Sequence, residues 1–534
     1  MIFQLLRAYT LSIISTAQYR SNLWRIAKSI GLVILLINVQ LNITQEIAEA
    51  KNPLPSQSSK DIASKDLGVG AATSQAQKVK PANLCPAQLS AAIQAVTNRS
   101  LFNSFRWGIL IETLSSRTLY SRDAHKYFIP ASNVKLLTTA AVLTQLGSQY
   151  RIRTSVYGTD NFLRIVGRGD PSLTDTQLRQ LAQQLHRRGI RQVSQIIAAD
   201  NYFQGYAVNP SWEWEDVQAD YGAPVNSLIV NQNTVALTLL PQQLGQKVRV
   251  SWVDPSEATR WRINNDSITT KSGEPTAINL SRNLQGAVLE INGQMPIDAD
   301  PESVSLAVID PHEHFLRHFK RSLVVEGIKT TGDRSTIDII RDLRLSKAPE
   351  LAAIESPPLS ELLIETNQNS NNLYAEALLR TLGANSNPSE STTAEVGLNA
   401  VKETLTKLGV DPSGYVLADG SGLSRHNLVS PQAIAQTLKA MANSPLADVY
   451  RASLPVAGVS GTLKDRLRET AAQGILQGKT GTMSGVVALS GYLDPSNYEP
   501  LVFSIIVNQS DLPAATIRQA IDEIVLLLPR LRRC

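Results

Sequence analysis

The spacing of apolar and polar positions changes along the chain, and each change marks an element. A helical stretch runs from Cys85 to about Asn98, followed by two extended runs, Phe105 to Glu112 and Thr118 to Tyr127, parted by a Ser-Ser turn. That pattern predicts an antiparallel hairpin. A helix is expected directly after Pro130, with Val134, Leu137 and Ala141 on one stripe, Leu136, Ala140 and Leu143 on the next, and Gly147 as its stop. Apolar around so much of its circumference, it should be buried.

From about Arg151 to Asp310 the texture shifts to short β-type runs, among them Ile196 to Ala199, Thr234 to Leu240, Lys247 to Val253, Ala287 to Gln294 and Ser303 to Val308. Helices are then predicted near His314 to Glu326, through Leu359 to Leu382 and through Ala394 to Leu408. The chain closes with extended runs at Gly474 to Thr482, Val486 to Leu493 and Leu501 to Val507, and a helix from Ala514 to about Leu531. The expected organisation is one α/β (α+β) domain, helices packed on an antiparallel sheet, built from residues 85–154 and 311–534 and interrupted by a β-rich insertion at 155–310 of one or two subdomains.

Composition adds a frame. At 534 residues, 43% hydrophobic and 18% charged, the chain is long enough for two or three globular domains. The net charge of +5 falls to +3 without residues 1–50, which hold four basic and two acidic side chains, and so small an excess does not point to nucleic acid. Arg7, Arg20, Arg25 and Lys28 precede the apolar run Ile30 to Ile37, and Ala48-Glu-Ala50 offers a small-x-small cleavage pattern. Residues 1–50 therefore read as an export signal, with an uncleaved membrane anchor as the alternative. Residues 51–84 lack aromatics and are rich in Ser, Ala, Gln, Lys and Pro, which predicts a flexible leader. The two cysteines, Cys85 and Cys534, can bridge in an oxidising compartment if the two ends of the folded part are neighbours.

Three short runs carry the chemistry: Ser132-Asn-Val-Lys135, Ser370-Asn-Asn372 and Lys479-Thr-Gly481. Ser132 and Lys135 lie three apart at the start of a helix, hence on one face. A serine hydroxyl needs a base, and none of the three runs contains histidine, so Lys135 takes that role, with burial and the second cation Lys479 lowering its pKa. Ser370 can pass a proton to the leaving amine, and Asn372 can hold both Lys135 and a substrate amide. Thr480, Gly481 and Thr482 read as an exposed strand edge for pairing with substrate, Gly481 letting its backbone approach. The backbone N–H groups of Ser132 and Thr482 are the expected oxyanion donors. Each run also has a plain reading as helix start, cap or turn. Their order and joint presence favour acyl transfer through a serine ester.

With these runs in place the sequence resembles the class C low-molecular-mass penicillin-binding proteins, the D-alanyl-D-alanine carboxypeptidases and endopeptidases of bacterial walls. The resemblance is carried by Pro130-Ala-Ser-Asn-Val-Lys-Leu-Leu-Thr-Thr-Ala140, Gly169-Asp-Pro-Ser-Leu173, Tyr221-Gly-Ala-Pro-Val225 and Ser370-Asn-Asn-Leu-Tyr-Ala-Glu376. Asp419-Gly-Ser-Gly-Leu-Ser-Arg425, Leu454-Pro-Val-Ala-Gly458 and Gly478-Lys-Thr-Gly-Thr482 extend it. It implies a penicillin-binding, serine β-lactamase-like domain acting on peptidoglycan stem peptides, with β-lactams as covalent inhibitors and no cofactor or metal. It also implies a periplasmic location, with the N-terminal segment as a tether if it is not removed, and places Asp170 and Arg425 in the substrate cleft. The competing reading of those two is a Gly-Asp-Pro turn and an arginine paired with a nearby acid. The alternatives for the whole chain are a β-lactamase-like hydrolase and a catalytically silent wall scaffold.

Three further patterns compete with this reading. Glu395-Val-Gly-Leu-Asn399 matches the pattern that supplies a deacylating glutamate in class A β-lactamases, but Val396, Leu398, Val401 and Leu405 make its surroundings an ordinary amphipathic helix. His314 and His318 stand one helical turn apart like metal ligands, yet no third ligand is apparent, so a solvated or capped histidine face is expected. Trp212 and Trp214 read as core or rim aromatics.

Overall fold

Five antiparallel strands form the central sheet, in the order Leu476–Met483, Val486–Leu493, Leu501–Asn508, Arg106–Thr113, Thr118–Arg122. Side chains alternate between its faces: Trp107, Ile109, Ile111, Leu489, Phe503 and Ile505 enter one core, and Leu110, Ala488, Tyr492, Val502 and Ile506 the other. Helices Pro86–Thr97 and Ala514–Val525 cover the first face, and Val134–Leu146 and Pro431–Ala442 pack in the core on the second. Because both faces are covered, the two strands at 486–493 and 501–508 are buried at every position and read as continuous apolar runs. Truncating a fully buried side chain such as Ile505 to alanine should cost about 2–5 kcal/mol.

The computed structural model describes residues 83–534 apart from 284–285, 338–347 and 387–390. The expected export signal or anchor at 1–50 and nearly all of the 51–84 leader lie outside the described residues. Leu84, assigned to the leader, instead belongs to the fold: it is buried, and its N–H donates to the Arg530 carbonyl at 2.8 Å. The two ends of the folded part are thus neighbours, and a disulfide joins Cys85 to Cys534 with Cα atoms 5.8 Å apart. No helix among the described residues is long and apolar enough to cross a membrane.

The insertion departs from expectation in two ways. First, its leading part is α/β. Strands Phe162–Val166 and Gln192–Ala199 run parallel, linked by helix Asp175–Arg187, and Lys329–Ile337 adds a third parallel strand after helix Pro311–Val325. The 175–187 helix was legible, since Thr174 and Gln177 form a capping box and Leu178, Leu181, Ala182 and Leu185 one buried stripe. Second, this sheet is completed by Arg153–Gly158 and Glu350–Glu355, which pair antiparallel. The chain therefore leaves the central body at about Arg153 and returns near Leu359, later than the 310/311 boundary expected. Between lie two smaller sheets: a three-stranded one containing Thr234–Leu240, and a four-stranded one built around Val288–Pro296. They share a core of their own with Trp252 and Trp261 stacked in it.

Other expectations need adjusting. The second hairpin strand ends at Arg122, not Tyr127, and the C-terminal helix ends at Val525, followed by a 3₁₀ turn at Leu528–Arg530. The single helix expected over Leu359 to Leu382 is two, Leu359–Gln368 and Asn372–Ala384, and the break falls on the second motif. Ser370 sits there at φ +60°, a left-handed conformation a continuing helix cannot contain.

Candidate active site

Ser132 lies in a 3₁₀ turn, Ala131–Asn133, that leads straight into helix Val134–Leu146. The turn is pinned to the sheet from within: Asn133 Nδ2 donates to Ser490 Oγ at 3.0 Å, and Ser490 Oγ lies 2.9 Å from Ser504 Oγ. Lys135, one turn on, is fully buried, and its Nζ reaches Ser132 Oγ at 3.2 Å, Asn372 Oδ1 at 2.6 Å and the Ser421 carbonyl at 2.7 Å. The helix break presents the second motif. Ser370 Oγ accepts from Lys479 Nζ at 2.8 Å, while Asn371 turns away to cap the 372–384 helix by accepting from the Tyr374 N–H at 3.2 Å. Asn372 Nδ2 donates outward to the Tyr221 carbonyl, 2.9 Å away.

The third motif lies on Leu476–Met483, the edge strand of the central sheet. Lys479 is fully buried, Thr480 Oγ1 bonds Thr462 Oγ1 at 2.7 Å, and Thr482 is exposed. Gly481 also has a packing reason beyond the one expected. A Cβ there would lie 2.8 Å from the Pro130 carbonyl oxygen and 3.3 Å from the Ser132 nitrogen, so glycine lets the strand itself press against the nucleophile turn. Ser132, Lys135, Ser370, Asn372, Lys479 and the 480–482 strand thus meet in one place.

Burial is the leading cause that lowers Lys135 to about 7, opposed by the charges of Asp419 and Glu376. Lys479 is likewise held well below the ordinary lysine value, by burial first and then by the charge of Lys135. Of the two causes expected, burial leads at both lysines, and the like charge is a lesser effect at Lys479.

A layer of groups absent from the motif reading supports this cluster. Glu376 is buried, accepts from the Gly420 and Ser421 N–H groups at 2.7 and 2.9 Å, and pairs with buried Arg380 at 3.0 Å. Asp419, also fully buried, accepts four hydrogen bonds, from Gly422 N–H (2.7 Å), Asn427 Nδ2 (2.8 Å), Ser424 N–H (2.6 Å) and Trp212 Nε1 (2.9 Å). Together they hold the Asp-Gly-Ser-Gly loop so that the Ser421 carbonyl meets Lys135. Gly422, at φ +87°, comes so close to the nucleophile turn that a Cβ would stand 2.0 Å from the Ala131 carbonyl oxygen. The run of two glycines and two serines after Asp419 signalled a turn; which backbone carbonyl it would deliver did not follow from residue types.

The two cleft candidates separate. Arg425 reaches the end of the edge strand, both its terminal nitrogens 3.1 Å from the Ser484 carbonyl, and it pairs with Glu213 of the insertion at 3.1 Å. Asp170 is buried, and its Oδ1 accepts from Ser172 N–H and Oγ at 2.9 and 2.6 Å, closing the turn of its own loop. Among the described residues it has no hydrogen bond to any motif side chain; burial pushes its carboxyl up to about 6.

The decoys resolve as well. Glu395 is exposed and completes a capping box with Thr392, accepting from its N–H at 2.9 Å. Trp212 is buried and Trp214 about half exposed. The histidine face is not solvated: His314 and His318 are both buried, and a third donor, Glu257, stands beside them.

Comparison with known proteins agrees with this geometry. Residues 89–527 match the family described as D-Ala-D-Ala carboxypeptidase 3 (S13). The chain is 34% identical over 427 residues to a D-alanyl-D-alanine carboxypeptidase of Actinomadura sp., covering 76% of this chain and 78% of that one. It is 30% identical over 471 residues to penicillin-sensitive carboxypeptidase A of Dictyostelium discoideum, covering 80% and 87%. Its fold is similar to the crystal structure of penicillin binding protein 4 of Haemophilus influenzae, with a TM-score of 0.70 at 24% identity, over 82% of this chain and 98% of that one. With a family match that spans all three motifs and a helix-covered antiparallel sheet that joins them, the chain belongs to the D-Ala-D-Ala carboxypeptidase 3 (S13) family of serine hydrolases.

Proposed function

We propose that this protein removes the terminal D-alanine from peptidoglycan stem peptides through an acyl-enzyme on Ser132, and that β-lactams trap it by acylating the same oxygen. The observation that carries the reading is the hydrogen-bond count at Lys135. A neutral amine has two N–H donors and one lone pair. The Asn372 Oδ1 and Ser421 carbonyl contacts, at 2.6 and 2.7 Å, occupy both donors, so the lone pair is left for Ser132 Oγ at 3.2 Å. In that state the serine donates its proton to Lys135 as Oγ attacks the carbonyl carbon. The Ser132 and Thr482 N–H groups serve as oxyanion donors, and Ser370, linked to Lys479 at 2.8 Å, returns a proton to the leaving amine. Water then opens the ester by the same route.

Thr480 to Thr482 align the peptide as an added strand, and Arg425 receives its carboxylate end. The acidic rim is better supplied by Glu213 and Asp216, near Arg425 on the insertion, than by the turn-bound Asp170. Burial and the neighbouring Glu213 raise the Asp216 carboxyl. Cleavage of cross-links between stems uses the same chemistry. The N-terminal pattern and the disulfide support export to the periplasm, where the leader can tether the enzyme.

The test is D-alanine release from a pentapeptide together with labelling by fluorescent penicillin. Ser132→Ala should lose both by about 10⁴-fold or more. Labelling that survives in the variant assigns the nucleophile elsewhere, and labelling of the wild type without any D-alanine release excludes the peptidase reading.

A further inference from the structure

Away from the catalytic cluster, the insertion gathers a second group of buried polar side chains that the reaction does not use. His314 and His318 lie on consecutive turns of helix Pro311–Val325, with ring centroids 4.3 Å apart. Glu257 comes from the 3₁₀ turn Pro255–Thr259, between the small sheets. One donor atom from each of the three lies within 4.8 Å of the others. A tetrahedral zinc with ligand bonds of about 2.1 Å spaces its donors by about 3.4 Å, which leaves at most about 1.4 Å to close by side-chain rotation. All three residues line an open cavity of about 460 Å³, which leaves room for water as a fourth ligand.

Two features of the hydrogen bonding point to a ligand. His318 Nδ1 lies 2.6 Å from Asp175 Oδ1; a carboxylate only accepts, so Nδ1 carries a proton, and in the neutral ring Nε2 keeps its lone pair. A carboxylate behind an imidazole is the usual orienting partner of a metal-bound histidine. His314 is 3% exposed, and its Nε2 is buried with no hydrogen-bond partner. A buried nitrogen left in that state is costly unless something else takes it.

We propose that Glu257, His314 and His318 form a structural binding site for a divalent metal ion of the zinc class. Its role would be to clip the small-sheet part of the insertion to the helix that covers the parallel strands.

Arg317 sets the terms of binding. Its guanidinium donates to Glu257 Oε1 at 2.5 Å and lies 3.0 Å from His314 Nδ1. Arginine only donates, so it favours the His314 tautomer with the proton on Nε2. Binding through Nε2 requires that proton to move to Nδ1 and the Arg317 contact to break. Without metal, Arg317 is thus the cation that holds Glu257 and His314 together, and it competes with the ion. Arg321, paired with Asp254 at 2.6 Å and with Asp175 at 3.5 Å, adds positive charge at the rim.

The test uses the full chain, stripped with a chelator and titrated with Zn²⁺ and then Co²⁺, reading bound metal per chain after gel filtration, calorimetric affinity and the Co²⁺ absorption of a four-coordinate site. The expected result is one ion per chain. Affinity should fall at least tenfold in His314→Gln and in His318→Gln, fall about 10–100-fold in Asp175→Asn, which removes only the orienting carboxylate, and rise in Arg317→Gln. Zinc at a hundredfold excess over Kd should raise Tm by a few degrees, about what that occupancy supplies to a domain of this size. Penicillin labelling of Ser132 reports that each variant is folded and should be unchanged. No stoichiometric binding by the wild type, or binding indifferent to all four substitutions, overturns the proposal.

Discussion

The catalytic pocket and the histidine cluster of the insertion both bury basic side chains, but they settle them differently. At the pocket, the two lysine amines and the carboxylates of Glu376 and Asp419 all have partners, four of them at Asp419 alone. In the insertion His314 Nε2 and Arg317 Nε have none. Partnered charges hold Lys135 in one geometry, whereas an unpartnered buried nitrogen costs stability until something fills it. The insertion meets the catalytic pocket through residues 212–232. Trp212 reaches Asp419, Glu213 pairs with Arg425, the Tyr221 carbonyl receives Asn372, and Gln232 Oε1 receives Asn371 at 2.7 Å.

The contrast can be broken most directly at Lys135. Lys135→Met should lower the rate of penicillin acylation by about 10³-fold or more, because among the described residues no other base contacts Ser132 Oγ. The same change should stabilise the fold. The Lys135 amine has a pKa of about 7 in the folded protein against 10.5 ordinarily, so the unfolded chain holds more protons between those values. Wild-type stability consequently falls as the pH drops from 10.5 toward 7, and the penalty is complete below 7. Thermal melts should show a gain of about 2 kcal/mol for the variant near neutral pH, after subtracting lost hydrogen bonds, that fades toward the alkaline end. In the wild type, acylation should rise with pH through about 7 as the amine loses its proton. A profile flat across that range would separate Lys135 from the base.

Glu376→Gln probes the saturated layer next. It leaves Arg380 buried without its anion and should cost about 3 kcal/mol in denaturant unfolding. It should also slow D-alanine release about tenfold as the Ser421 carbonyl loosens, and an unchanged rate would make the layer purely structural. Trp212→Phe removes one donor to Asp419 across the seam between insertion and body. We expect a loss of about 1 kcal/mol and a few-fold fall in kcat with KM little altered. The smallest catalytic effect is expected from Asp170→Asn, which keeps the acceptor for Ser172 but removes a buried charge. Because its folded pKa is raised to about 6, the native protein holds the extra proton between 3.8 and 6 and loses stability as pH rises through that window. The variant should therefore melt higher at pH 8 by about 2 kcal/mol and show no gain below pH 4, with peptidase activity unchanged. A large activity loss would return Asp170 to the cleft.

Much of the central body was legible because its signals are local. Strands at 486–493 and 501–508 follow from largely apolar runs between turns, and the nucleophile helix from its stripes and Gly147. The insertion is less legible: its parallel strands look like any short apolar run, and pairing Arg153–Gly158 with Glu350–Glu355 joins segments that share no local signal. The break at Ser370 was also invisible, since the residues on both sides have the same helical spacing.

By itself the sequence determined which groups are available for acyl transfer, because Ser132 and Lys135 are three residues apart and a helix turn must bring them together. Only the tertiary structure decided what state those groups adopt. Lys135 is lowered to about 7 by burial, held by a carbonyl from Ser421 and an amide from Asn372, and none of these is a property of residue type or spacing. The same holds for Glu257 beside His314 and His318, which are ligands by chemistry but neighbours only through packing of elements far apart in the chain. Short-range geometry is written in covalent spacing, whereas dielectric, desolvation and long-range partners exist only once the core has closed.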